Sequence, residues 1–517
     1  MALDASVLLL FLLLLLPLLC FMKKKPKVDC VQKKNLPPAP PKLPIIGNLH
    51  QLGALPHQSL CKLAKKYGPV MFLQLGSVPT LIISSAEAAR VVLKTNDLNS
   101  CSRPPLAGAR ILTYNYLDLA FVAYGDYWRE MRKICVSELF SAKKVLSYRS
   151  IREEQVDSLI NSISELSESS SSSTPVNLTE KLFSLTASVI LRIAFGTSFQ
   201  GSGFDRYRFH EVVHDAEAML ASFSATQFIP YVGWIIDRLS GLHQRLGRTF
   251  KELDRFFQHV IDNHLSSGRT QQDHEDIIDV LLKFVKEQTG FAAATISHEN
   301  IKAVLLNVFL GGVDTGAITM IWAMAELAKN PKLMKKAQDE VRDCIGNKGK
   351  VGETDIDQLQ YLKMIVKETL RLHPPAAFLL PRETISHFKV NGYEVYPKTT
   401  IQINAWAIGR DPEYWKNPEE FIPERFNDSP IDFKGQHFEF LPFGSGRRIC
   451  PGITMATTIV ELGLANLLYW FDWKLPDGMK EEDINMEEEA GISLTISKKT
   501  ALNLVPVKYS EVQQKIA

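Results

Sequence analysis

The sequence predicts a mainly α-helical fold with small β-sheets, built as one large domain behind an N-terminal membrane anchor. Three observations carry that expectation. Helical periodicity dominates from about Ala86 onward, an uncharged apolar run of membrane-spanning length stands at Ala5 to Met22, and no proline- or glycine-rich linker or internal repeat divides the rest. The composition agrees: 517 residues, 45% apolar and 22% charged, describe a globular chain and not a disordered, collagen-like or small disulfide-stapled one. Lys plus Arg number 59 against 57 Asp plus Glu, so a formal charge of +2 leaves no electrostatic footprint for nucleic acid. The seven cysteines are scattered with no C-x-x-C pair, which argues against a disulfide framework or structural zinc and for a reducing, cytosol-facing compartment.

The first element is the anchor. Its 18 residues make about 27 Å of helix, close to the ~30 Å hydrocarbon core, and Lys23, Lys24, Lys25 and Lys27 follow at once. A cleaved signal peptide carries its basic residues first, whereas the only early charge here is Asp4. Residues 1–22 are therefore expected as a lumenal N-terminus and transmembrane helix, with everything after Lys23 in the cytosol. Residues 23–44 are basic and then proline-rich (Pro37, Pro38, Pro40, Pro41), a stiff extended spacer leading to a globular domain over 45–517. Alternating segments at Val70–Leu75 and Thr80–Ile83 predict a small sheet, and the serines of Ser167–Ser173 a solvated surface loop.

The longest helical pattern runs from about Ser297 to Asn330, where Pro331 stops it. It spans about 50 Å and is apolar almost all round from Ala303 to Ala325, so it is expected to run buried through the core. Close helix packing would account for Gly311, Gly312 and Gly316 but leaves Asp314 unexplained in a dry core. A local bend lined by an acid and a hydroxyl, Asp314 and Thr315, is the functional reading.

The stretch that decides the chemistry is Phe443-Gly444-Ser445-Gly446-Arg447-Arg448-Ile449-Cys450-Pro451-Gly452. Its glycines let the backbone approach a bulky planar group, Pro451 suits a first helical turn, and the apolar run Ile453 to Leu468 supplies the helix. Cys450 is thus expected at a helix N-terminus, where a thiol pKa is lowered and the thiolate can ligate iron. With these residues the chain resembles the cytochrome P450 superfamily over nearly its whole length. Phe443, Gly446, Arg448, Cys450 and Gly452 match Phe-x-x-Gly-x-Arg-x-Cys-x-Gly; Glu368 and Arg371 match Glu-x-x-Arg; Pro423 to Phe426 match Pro-Glu-Arg-Phe. Gly311 to Thr315 match the oxygen-activating helix, and Trp128 with Arg132 match Trp-x-x-x-Arg. The detail is similar to the plant microsomal A-type group and its seventy-one clan.

The resemblance implies a cytochrome P450 fold, with 45–517 as the catalytic domain, and a haem-thiolate monooxygenase. It implies haem b with Cys450 as axial thiolate, whose electron donation favours O–O cleavage, and O2 as co-substrate. Arg103, Trp128, Arg132, Arg382 and Arg448 are expected at the haem propionates, arginine being suited to carboxylates. Trp128 and Arg132 are i,i+4 and Glu368 and Arg371 i,i+3, so each pair shares a helix face, with Arg425 a third member of the second group by resemblance. Thr315 is expected to bond back to the Gly311 carbonyl, and Asp314 and Thr315 to guide protons. Gly316, where many relatives carry Ser or Thr, is a departure.

No nicotinamide or phosphate-binding glycine motif is fused to the chain, so its electrons are expected from NADPH through a separate NADPH-cytochrome P450 reductase, with cytochrome b5 as a further donor. Arg129, Lys133 and Arg447 are candidate basic contacts for that partner. By resemblance the substrate is lined by the loop Pro104 to Leu119, by Val308 and Gly312 of the central helix, by Ala376 to Leu380 with Leu379, and by Gly491-Ile492. The apolar residues Ala376 to Leu379 suggest a lipophilic molecule, which the resemblance implies is a small plant metabolite (a terpenoid, phenylpropanoid, alkaloid precursor or oxime), and the resemblance with the anchor implies an endoplasmic reticulum membrane protein.

Competing readings come from other classes. His210-Glu211-Val212-Val213-His214 matches His-Glu-x-x-His, so a zinc hydrolase is the alternative enzyme, with Asp237 the only acid spaced to be a third ligand. Solvated or channel-lining residues on an amphipathic helix are the plainer account. A membrane-anchored binding protein would give Asp314, Thr315 and Cys450 no reason to co-occur. Some plant relatives use the same haem without inserting oxygen, as aldoxime dehydratases. The acid–threonine pair, often lost in those, remains here and favours monooxygenation.

Overall fold

Helices form where apolar residues recur every three to four positions, and in the computed structural model these are α1 (Pro56–Tyr67), α2 (Ala107–Leu112), α3 (Asp126–Ile134), α4 (Arg149–Ser169), α5 (Leu178–Phe195), α6 (Arg206–Ala221), α7 (Gly233–Leu239), α8 (Leu242–Leu265), α9 (Ile277–Glu287), α10 (His298–Lys329), α11 (Pro331–Ile345), α12 (Gln360–Leu372) and α13 (Ile453–Trp470), besides shorter turns. The structure describes residues 35–169, 174–197, 206–221, 224–230, 232–266, 275–287, 296–491 and 493–509; the expected anchor 1–22 and the hinge residues 23–34 lie outside them. The strands are β1 (Val70–Leu75), β2 (Val78–Ile83), β3 (Val176–Asn177), β4 (Arg382–Glu383), β5 (Phe388–Val390), β6 (Tyr393–Val395), β7 (Thr400–Ile403), β8 (Phe471–Lys474) and β9 (Asn503–Lys508).

The largest sheet has the order β1-β2-β7-β4. Its two predicted strands pair antiparallel with Val70 opposite Ile83, while β2 runs parallel to the sequence-distant β7 with Thr80 opposite Thr400. The proline segment is extended as expected but not free: Pro38 accepts the Phe72 N–H at 2.9 Å, and the Asn48 amide reaches the carbonyls of Pro40 and Pro41 at 3.3 and 3.2 Å. It belongs to the sheet edge. Ser167–Ser169, expected in a loop, are the last residues of α4, and 170–173 lie outside the described residues. The Pro104–Leu119 stretch likewise holds a helix, α2.

Helix α10 crosses the core and starts where the sequence says. The Ser297 hydroxyl accepts the Asn300 N–H at 3.4 Å while the Asn300 side chain accepts the Ser297 N–H at 2.8 Å, a capping box, and Pro331 opens α11 beyond the other end. Two of the glycines are packing residues: a Cβ on Gly312 would come within 2.5 Å of Ile190 Cδ1, and one on Gly316 within 3.3 Å of Thr186 Cγ2, both on α5. Gly311 faces open space. Where α5 and α8 meet α10, Phe195 packs edge to face on Phe256 and Phe309, and Phe257 edge to face on Phe309. Helices α10 and α13 are long and apolar enough to cross a membrane, yet 72% and 61% of their most apolar stretches are buried inside the protein, which makes them core helices.

Candidate active site

Between α10, α13 and the loop 443–452 lies a cavity of about 370 Å³, and its wall includes both Thr315 and Cys450. The loop holds its shape through backbone geometry that only glycine adopts easily. Gly444 and Gly446 both have φ +71, and a Cβ on Gly446 would meet the Leu93 carbonyl oxygen at 2.4 Å. The Cys450 N–H donates to the Phe443 carbonyl at 3.0 Å and closes the loop. Underneath sits Asp97, 4% exposed, which sequence reasoning missed. It accepts the Arg447 N–H and guanidinium, each at 2.9 Å, and the Arg382 guanidinium at 2.6 Å. No local spacing announces it, because its partners are hundreds of residues away.

The expectation for the Cys450 thiol needs correction. Helix α13 begins at Ile453 with Gly452 as its cap, so Cys450 and Pro451 precede the helix instead of opening it. Burial pushes the Cys450 pKa up, opposed by the Gly452 N–H and the nearby Arg132 charge, and burial prevails. A free thiol here stays protonated; a coordinated metal ion would ionise it.

The arginines supply the test of what belongs in the cavity. Arg103, Arg132, Arg382 and Arg448 all line it, with Trp128. Arg382 is paired with Asp97, but Arg103, Arg132 and Arg448 form no ion pair among the described residues and donate to carbonyls instead. Arg103 reaches Ala120, Leu380 and Pro381 at 2.6–2.8 Å, Arg132 reaches Ile449 at 2.5 Å, and Arg448 reaches Cys101, Leu119 and Val122 at 2.7–3.2 Å. The Trp128 indole N–H donates to Leu119 at 3.2 Å, and its ring lies 4.3 Å from the Arg448 guanidinium carbon. Asp118 is near, but its carboxylate accepts the N–H groups of Ala120 and Phe121 and the Asn307 amide. Burial, with the neighbouring arginine charges, pulls Arg103 well below its ordinary pKa, and burial takes Arg448 down to about 10. Buried cations without counter-charge are costly, and a planar group bearing two carboxylates beside a single thiol satisfies them. The donor set fits a haem.

The predicted support is assembled nearby. Glu368 takes two bonds from Arg371 at 2.7 and 2.8 Å and one from Arg425 at 2.9 Å, with the Ile422 N–H at 2.8 Å. Arg371 spends its remaining donors on the carbonyls of Gly409, Pro418 and Glu420. On α10 the Thr315 hydroxyl donates to the Gly311 carbonyl at 2.8 Å. Asp314 is absent from the cavity wall. It turns aside to accept the Thr495 hydroxyl at 2.7 Å, because successive helical residues point about 100° apart.

Of the substrate positions, Val308, Gly312, Ala376 and Leu379 line the cavity, and Ile492 lies outside the described residues. Leu494 and Thr495 line it instead, together with Glu217 and Leu220 of α6 and Asn307 of α10, none of them foreseen. A glutamate inside the apolar run Ala216 to Leu220 was the one available signal for Glu217. The zinc alternative loses its third ligand: Asp237 is buried and accepts the hydroxyls of Ser224 and Thr226 and the N–H groups of Ala225 and Thr226. His214 is exposed on α6, and the His210 side chain lies outside the described residues.

A sulfur beneath unpaired arginines, faced by a hydroxyl on a core helix, defines the haem-thiolate class of oxidases. Residues 37–503 match the family described as Cytochrome P450. Cytochrome P450 71B26 of Arabidopsis thaliana is 56% identical over 472 residues, covering 91% of this chain and 93% of that protein. Cytochrome P450 71B10 of Arabidopsis thaliana is 54% identical over 500 residues, covering 96% and 98%. A solved zebra fish cytochrome P450, in a structure with abiraterone, has a TM-score of 0.73 at 24% identity and covers 88% of this chain and all of that one, a likeness of fold. The chain belongs to the cytochrome P450 family. It is a P450 monooxygenase of plant secondary metabolism, of the microsomal type, using haem-thiolate iron, dioxygen and electrons from a reductase partner.

Proposed function

We propose that the protein oxidises a small lipophilic plant metabolite, of terpenoid, phenylpropanoid, alkaloid or oxime type, in the cavity above Cys450. The observation that carries this is the wall itself: besides the arginines it includes Leu119, Phe121, Ile190, Leu220, Val308 and Leu379, which favour an apolar guest. Cys450 would hold the iron of haem b, and Arg103, Arg132 and Arg448, with Trp128, would hold its carboxylates; Arg382 would join them while still bound to Asp97. Bound haem supplies the oxidising centre, and a cysteine ligand favours O–O cleavage. The chain's own part is positional. The Glu368–Arg371–Arg425 cluster fixes the segment before the loop, Gly446 and Asp97 fix the loop, and Thr315 offers a hydroxyl where protons are needed.

Membrane attachment belongs to the same reading, with 1–22 as a single-pass anchor in the endoplasmic reticulum, 23–44 as the hinge and the body in the cytosol. Its support is an apolar patch beside the point where the hinge enters the body. Trp234, Ile235, Ile236 and Leu239 of α7 are 41–84% exposed, as are Leu43 and Ile45 at 49% and 45%. The β1–β2 turn touches both regions, since the Gly76 N–H donates to Ile46 and the Ser77 N–H to Phe228 just before α7. Exposed apolar surface of this kind suits lipid. The reductase, with cytochrome b5 as a second donor, would dock on the face behind Cys450, where Arg129 and Lys133 are exposed on α3; Arg447 is already engaged by Asp97. The test is expression with reductase in membranes, a carbon monoxide difference spectrum, and a spectral binding screen of lipophilic plant metabolites followed by turnover under labelled dioxygen. Label in the product is the expected result; a product free of label overturns oxygen insertion and leaves dehydration.

A further inference from the structure

Asp314 pairs with no cation among the described residues. Its partner is a hydroxyl that already has another carboxyl. Thr495 Oγ1 lies 2.7 Å from Asp314 Oδ2 and 2.6 Å from Glu217 Oε2. Three distant elements meet here: α6, the segment before β9, and α10. Glu217 is 3% exposed and Thr495 9%, and both sit on the cavity wall. A hydroxyl has one proton to donate. Were both carboxyls ionised, one of these short contacts would set oxygen lone pairs against each other in a buried site. One carboxyl therefore carries a proton. Burial, aided by the adjacent Asp314, raises the Glu217 pKa well above the ordinary carboxylate range, so Glu217 is the holder.

We propose that Glu217 is a proton-holding positioning residue, joined through Thr495 to Asp314 in a relay that recharges Asp314 during turnover. This rests on Asp314 and Thr315 being the proton-guiding pair. The Glu217 O–H bond breaks as Thr495 Oγ1 gains that proton, and the original Thr495 proton passes to Asp314 Oδ2. Thr495 ends as it began, Asp314 becomes a carboxylic acid, and Glu217, left as a carboxylate, takes its next proton from water entering the cavity. Of the charged groups on the packed elements, Lys302 of α10 pairs with Asp254 of α8, which also binds Tyr114, and Arg110 of α2 is exposed to solvent. The relay depends on the packing of α6 against α10, which brings Glu217 to Thr495 and Asp314.

The test uses the full-length holoprotein. At pH 7 its infrared spectrum should contain a carboxylic-acid carbonyl band that moves in heavy water and is lost in Glu217→Gln. In membranes with reductase and NADPH and no added substrate, NADPH consumption should fall about tenfold in Glu217→Gln and Thr495→Val, less than the ~10²–10⁴ of a group that transfers the proton directly. Thr495→Ser should restore it. The loss of activity on the alkaline side, where Glu217 gives up its stored proton, should disappear in Glu217→Gln. A carbonyl band that persists in Glu217→Gln, or an unchanged rate and pH profile in Thr495→Val, overturns the relay. A normal carbon monoxide spectrum in those samples confines that failure to the relay, whereas its absence in the unaltered protein would overturn the active-site reading as well.

Discussion

Glu368 is fully buried and neutralises Arg371 while binding Arg425, so removing it strands a cation in the core. Glu368→Ala is expected to cost about 3–5 kcal/mol, the range for breaking a buried pair from one side, and to abolish haem incorporation as read by the carbon monoxide spectrum. Glu488 makes a second prediction. It accepts His57 and Gln58 at 2.7 Å and the Trp406 indole at 2.8 Å, and these partners hold its pKa down to about 2 against an ordinary 4.5, overcoming the burial that would raise it. A carboxylate with a depressed folded-state pKa contributes its full stability above the unfolded value, and loses it as pH falls from 4.5 through about 2. The contribution is about 3 kcal/mol. Glu488→Gln should lower the melting temperature at pH 7 and flatten its decline in that acid window; an unchanged acid limb would remove this pair from the account.

Elements depend on a few positions where the backbone has no alternative. The loop 443–452 presents Cys450 only while Gly446 keeps its positive φ against Leu93 and Asp97. Gly446→Ala forces both a strained backbone and a 2.4 Å contact with a carbonyl oxygen that cannot move independently. We expect reduced haem occupancy with helical content preserved, read by the Soret absorbance and far-ultraviolet circular dichroism of one sample. Helix α10 shows the opposite economy: its ends were legible because a capping Ser297 and Pro331 act within a turn of where they stand. The end of α4 was not legible, since serines favour caps and loops locally but remained helical through Ser169.

At the scale of the whole molecule the proposed lipid-facing and reductase-facing surfaces can each be tested by substitution. Replacing Trp234, Ile235 and Leu239 by serine in a chain lacking residues 1–34 should release the body from lipid vesicles while leaving the carbon monoxide spectrum intact; retained binding in a flotation assay would remove α7 as a lipid contact. Reversing Arg129 and Lys133 to glutamate should slow reduction by the reductase several-fold, more at low salt, with haem content unchanged. Equal reduction rates in reconstituted membranes would take that face out of the docking site.

By itself the sequence determined what is local or compositional: the helices and first strands, the boundaries of α10, the pairing of Glu368 with Arg371 three residues on, and the cysteine signature around position 450. Spacing along one helix or strand fixes direction, so these needed no knowledge of distant chain. Only the tertiary structure decided what depends on burial or on sequence-distant neighbours. It put Asp97 under the loop, set β2 parallel to β7, docked the proline hinge on the sheet, turned Asp314 away from the cavity toward Thr495 and Glu217, and reversed the expected pKa direction at Cys450. Desolvation is a property of the surrounding volume, and no periodicity within a single segment encodes it.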